Sequence, residues 1–89
     1  MRFDWHEAKR QRTLAERNID FAAMAACFDD PRRMIRRDLR KDYGEQRFNL
    51  LGVLKGRLFH VTFTLRDDTI WVISARKANK REQKAYDQE

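Results

Sequence analysis

The chain has 89 residues, 42% of them apolar and 11% aromatic, which suits a single domain, 1–89, with one modest core. Lysine and arginine number 20 against 14 acidic residues, a net charge of +6 that favours a polyanion or an acidic protein as partner. No apolar stretch approaches a membrane span, the lone Cys27 excludes an intrachain disulfide, and no Cys/His spacing resembles a zinc site. The expectation is a protein of the cytoplasm without cofactor, metal or membrane contact. The N-terminal MRFDWHEAKR is too charged for a signal peptide core.

Met1–Phe3 suits a short edge strand. Asp4 with Glu7 three residues on has capping-box spacing and predicts a helix to about Arg17. Its apolar face is thin: Trp5, Ala8 and Ala15, with Leu14 beside it. Lys9, Arg10 and Arg12 read as the opposite, solvated face, with phosphate contact as the alternative. His6 reads as surface. Asn18-Ile19-Asp20 breaks the pattern, and Asp20 can cap a second helix, Phe21–Phe28. There Phe21, Met24, Ala25 and Phe28 share one α-helical face, a lid for a sheet. Cys27 in this run reads as a small buried side chain rather than a nucleophile.

Asp29-Asp30-Pro31 ends that helix. The following RRMIRRDLRKDYG is ambiguous. Asp30, Pro31 and Gly44 suit a helix, while Met34 and Ile35 equally suit a short strand. Its basic residues, from Arg32 to Lys41, are either a solvated edge or the rim of a polyanion site. Gln46–Leu54 reads as a strand, and Lys55-Gly56 as a tight turn into a second strand, Arg57–Leu65. Arg66-Asp67-Asp68 turns the chain into a third, Thr69–Ala75. From Arg76 to Gln88 there is no β-branched residue, and the composition is that of a basic helix.

Successive side chains of a strand point to opposite faces. One face of the expected meander carries Phe48, Leu50, Phe59, Val61, Phe63 and Leu65 and must be covered. The other carries Arg47, Asn49, His60, Thr62, Thr64, Ser74 and Arg76. Strict alternation groups Trp71 with Ile73 and Ala75, on the apolar side. The polar face is either a half-solvated sheet surface or a basic working surface.

Several segments, in order, resemble the BrnT toxin family of bacterial type II toxin–antitoxin systems. They are Phe3-Asp-Trp5 with Lys9; Ile19-Asp-Phe21 and Phe28-Asp-Asp-Pro31; Gly44-Glu-Gln-Arg47-Phe with Gly52; Gly56-Arg-Leu-Phe-His-Val-Thr-Phe-Thr64; Ile73-Ser-Ala-Arg76-Lys-Ala78; and Arg81-Glu82 with Tyr86. The resemblance implies a small RelE-like α+β domain: an antiparallel sheet packed by two N-terminal helices, with a basic C-terminal helix. It favours a strand at Met34–Asp38. It implies an endoribonuclease, on or off the ribosome, that inhibits translation. It also implies a cognate BrnA-type antitoxin, a toxin dimer within their complex, and operator DNA contact only through that complex. Two positions depart from the family pattern: Arg17-Asn18-Ile19 stands for Lys-His-Gly, and Trp71 for an arginine.

Metal-free RNA cleavage needs a base for the 2′-hydroxyl, cations for the phosphorane-like charge, and a proton for the leaving 5′-oxygen. Arg47, Arg66 and Arg76 are the candidate phosphate clamp, since a guanidinium grips phosphate with two donors and stays charged. His60 is the proton-transfer candidate, because its ordinary pKa lies near neutrality; a structural, hydrogen-bonded histidine is the alternative. Glu82 and Tyr86 share a helix face at i, i+4. Glu82 is a base or a partner for Arg76, and Tyr86 a stacking group or acid; helix packing on the sheet is the alternative for both. Lys77, Lys80, Arg81 and Lys84 line the approach of RNA. Two other functions remain open: a non-catalytic nucleic-acid- or partner-binding module, and a DNA-binding regulator, for which no helix-turn-helix pattern exists.

Overall fold

The computed structural model describes residues 1–88. In chain order the elements are β1 (Arg2–Trp5), α1 (Glu7–Arg17), a 3-10 helix (Phe21–Asp29), β2 (Met34–Asp38), β3 (Arg47–Leu54), β4 (Arg57–Arg66), β5 (Thr69–Lys77) and α2 (Lys80–Asp87). The strands form one sheet in the order β1-β5-β4-β3-β2. The meander β3-β4-β5 is its centre, as alternation predicts. Lys55 and Gly56 have φ of 51° and 76°, the positive pair that a two-residue hairpin turn needs to match strand twist.

Two expectations need correction, and a third reading holds. The sheet is mixed: β1 runs parallel to β5, with Phe3 opposite Ile70 and Trp5 opposite Val72. No hairpin fixes the direction of β1, and this register sets both aromatics beside apolar partners. The basic segment forms the strand that the family resemblance favours, Met34–Asp38, antiparallel to β3 at the sheet's edge. The second helix is not α-helical. Phe21, Met24 and Cys27 are its buried residues, a spacing of three that matches the 3-10 period.

That 3-10 helix is the lid. Phe21 and Cys27 are fully buried with Leu50, Val61 and Ala75. A chain of rings, Phe3–Phe28–Phe63–Phe48, crosses the apolar face at centroid distances of 5.1, 5.0 and 5.4 Å. Burying one Phe contributes roughly 1.5–3 kcal/mol, so Phe21 is a main anchor of the lid beside Met24 and Cys27. The lid lies very close to β3: a Cβ on Gly52 would stand 2.5 Å from the Cys27 carbonyl oxygen.

Helix α1 turns a different face inward than its alanines suggest. Ala8 and Ala15 are exposed, Thr13 is buried, and Lys9 and Arg10 are half-buried. Polar ties set this orientation. Arg10 donates from Nε and Nη2 to the two Asp20 oxygens at 2.8 and 3.1 Å, and Arg17 donates to the Ala75 carbonyl at 2.9 Å. Two alanine methyls bury too little area to oppose them. His6, not Asp4, caps the helix, its Nδ1 accepting from the Lys9 amide.

Candidate functional site

The pairing register assembles the polar face. Arg76 lies opposite His60, Ser74 opposite Thr62 and Trp71 opposite Thr64. From the other side, Asn49 faces Thr62 and Arg36 faces Asn49. Directly opposed residues point the same way. Trp71 therefore belongs to the polar face, not the apolar one. Thr62 pairs with Ser74 and Phe63 with Val72, so Ile73 has no partner and forms a bulge. One extra residue switches the parity of the strand beyond it.

At the centre, Arg76 donates from Nη1 and Nη2 to Oε1 and Oε2 of Glu82, at 2.8 and 2.9 Å. Glu82 is also the third residue of α2, where its Oε1 accepts from the Asn79 amide at 2.9 Å while Asn79 caps the Glu82 amide. One carboxylate thus closes the capping box and fixes Arg76. Chiefly through the Arg76 hydrogen bonds, the Glu82 pKa falls to about 2, so it is ionised and a poor base near neutral pH. Glu82 and the Lys77 carbonyl use three of the five Arg76 N–H groups, and Arg76 remains part-exposed.

His60 Nε2 stands 3.8 Å from Glu82 Oε2. Burial first, and then the Arg76 charge, hold its pKa below the usual value, against an opposing pull from Glu82. It is neutral at pH 7 and can accept a proton. Thr62 and Asn49 beside it are tied together by a 2.8 Å hydrogen bond, and Thr64 donates to the Gln46 carbonyl.

A cleft of about 380 Å³ lies between this face and α2, lined by Asn49, His60, Arg36, Arg40, Arg81 and Glu82 among others. A smaller depression joins Arg40 to His60, Ser74, Arg76 and Glu82. Arg40 follows the edge strand, and its Nε and Nη2 donate to the two oxygens of buried Asp38 at 2.9 and 2.8 Å. Its charge adds to the lowering of the His60 pKa, while the Glu82 hydrogen bonds outweigh it at Arg76 and leave that pKa raised. Arg40 lies outside the candidates that strand parity and helix spacing single out. The signal was the density of basic residues between Arg32 and Lys41; one-dimensional spacing could not say which would face the cleft.

The other expected residues are dispersed. Arg47 and Arg66 form a separate group around Glu45, each 3.6 Å from a different oxygen of it. Tyr86 is buried and turns away from Arg76, donating its hydroxyl to Asp30 Oδ2 at 2.6 Å beneath the Arg32 guanidinium. Asp30 also accepts from the amides of Val53 and Arg32, so Tyr86 tethers α2 to the end of the lid. Lys77, Lys80, Arg81 and Lys84 are exposed, and of these four Arg81 lines the cleft. Burial, reinforced by the Asp30 charge, pushes the Cys27 thiol up to about 11, as befits an inert core side chain.

Among the described residues, no helix is long and apolar enough to cross a membrane. No curated protein matches the chain. A family model described as "Ribonuclease toxin, BrnT, of type II toxin-antitoxin system" matches residues 5–82. The matched stretch contains His60, Arg76 and Glu82 and stops short of Tyr86. With nearly the whole fold inside that match, the chain belongs to the BrnT family of ribonuclease toxins.

Proposed function

We propose that the chain cuts RNA in the cleft between its polar sheet face and α2, using its own side chains without a metal ion, and thereby inhibits translation. The observation that carries this reading is the opposition of a neutral, half-buried His60 to a carboxylate-fixed Arg76 on one open face. His60 accepts the proton of the RNA 2′-hydroxyl. The 2′-oxygen attacks the adjacent phosphorus, the bond from phosphorus to the 5′-oxygen breaks, and a cyclic phosphate forms. Arg76 donates its remaining N–H groups to the phosphate oxygens as charge gathers there, and Arg40 adds a second cation beside them. The leaving 5′-oxygen takes its proton from solvent.

Membership of a type II toxin–antitoxin family implies an antitoxin partner. We assign it to the BrnA type, with an acidic segment lying over the basic face, a toxin dimer in the complex, and operator DNA contacted through the antitoxin. A second reading, RNA binding without cleavage, draws on the same Arg76–Glu82 pair, because the carboxylate partly neutralises the arginine. Induced expression separates the two. The cleavage reading expects growth arrest with new RNA 5′-hydroxyl ends. Abundant, folded protein that leaves growth and RNA intact supports the binding module.

A further inference from the structure

We propose that the second basic group on the polar face, Arg47 and Arg66 around Glu45, is a subsite for a neighbouring nucleotide of single-stranded RNA. It takes the phosphate of that nucleotide in place of the Glu45 carboxylate and its base against Trp71. The proposal rests on the cleavage site described above and adds a place for the flanking strand.

The group is held in shape but incompletely satisfied. Glu45 stands 3.6 Å from Arg47 Nε and 3.6 Å from Arg66 Nη2, beyond hydrogen-bond distance of either. Arg47 Nε is buried and has no hydrogen-bond partner among the described residues, a condition that native proteins rarely leave unexplained. Both guanidiniums are fixed by aromatic rings: Arg47 lies 4.1 Å from the Tyr43 ring centroid and Arg66 4.4 Å from that of Trp71. Tyr43 is held in turn by donating to Asp38 at 3.2 Å. Lys9 adds a third cation. Its pKa is lowered by burial and then by the charges of Arg47, Arg12 and Arg17. Asp4, opposite Trp71 on β1, is the acidic group on the far side. Among the described residues, Glu45 alone bridges the two arginines, and it does so loosely.

An anion with several oxygens fits between two preorganised guanidiniums better than one carboxylate at ion-pair distance. An aromatic ring flanked by a guanidinium is a stacking platform for any base. The position excludes the scissile phosphate itself. Trp71 lies opposite Thr64, four residues along β4 from His60, which is about 13 Å of strand.

The test is the affinity of 2′-O-methyl RNA, which the cleavage step cannot consume, in lengths of about three and about nine nucleotides. Arg66→Gln is expected to weaken the longer RNA about tenfold and to reduce its salt slope by about 0.7, with little effect on the shorter one. Trp71→Leu should also cost about tenfold on the longer RNA alone. Glu45→Gln should tighten it, a gain that misfolding cannot mimic. If wild-type protein binds the longer RNA but Arg66→Gln and Glu45→Gln leave affinity and salt slope unchanged, the subsite is refuted and the cleavage site stands; a group built for an acidic protein segment gives that same result. If wild-type protein binds neither length, both readings fall.

Discussion

Arg76→Ala is expected to lower RNA cleavage about 100- to 1,000-fold, the usual loss when one preorganised donor to a developing oxyanion is removed. Arg76→Lys should recover little of it, because a single ammonium cannot hold Glu82 with one edge and a phosphate with another. The variant carries its own control. In the wild type the Arg76 charge depresses the His60 pKa and Glu82 raises it. Without Arg76, burial and the weaker pull of Arg40 remain, but the larger opposing charge is gone, so His60 should titrate at higher pH than in the wild type. NMR titration of the imidazole reads this directly. Lost cleavage with an upward His60 shift places the defect in the site. Unchanged cleavage in a folded Arg76→Ala removes Arg76 from the chemistry.

Gly52→Ala is expected to destabilise the fold by about 3 kcal/mol, at the upper end of ordinary overpacking. A methyl there would meet the Cys27 carbonyl oxygen at 2.5 Å and the Cys27 Cβ at 2.9 Å. Both belong to the lid, whose backbone cannot retreat without uncovering Phe21 and Met24. Gly56→Ala is the comparison. Its φ of 76° disfavours alanine by about 1 kcal/mol, but no atom of the described residues stands within 4 Å of the added carbon. Urea midpoints of the two variants should therefore differ clearly, with Gly52→Ala the lower. Equal midpoints would mean that the lid yields easily.

The central strands were legible because apolar and polar residues alternate through Phe59–Leu65, Gln46–Leu54 is rich in apolar residues, and the Lys55-Gly56 turn joins them. The polar face followed from parity, and His60, Arg76, Asn49 and Thr62 do meet there. Parity failed at Trp71 because the Ile73 bulge depends on two strands fitting together, which no single segment reveals. The lid was recognised as buried, but its period of three was hidden among alanines that fit either helix. Charge proved a poor guide to exposure in α1, where Lys9 and Arg10 are half-buried and Arg10 pairs with Asp20 beyond the helix. Tyr86 and Glu82 share a helix face, yet only Glu82 reaches Arg76; Asp30, at the end of the lid, claims the phenol. Sequence spacing places residues along an element and cannot say which neighbour will capture each.

The most direct measurement concerns the nucleophile. Once the cleavage position of a messenger has been mapped in cells, the same RNA is made with one 2′-deoxy nucleotide on the 5′ side of that bond. Both RNAs are then exposed to the protein in a translation extract. If His60 takes its proton from the 2′-hydroxyl, the unmodified RNA is cut to a cyclic phosphate and a 5′-hydroxyl end, and the substituted RNA survives at that bond. Equal cutting of both RNAs would show that the 2′-oxygen is not the attacking atom, and would contradict the chemistry assigned to His60 and Arg76.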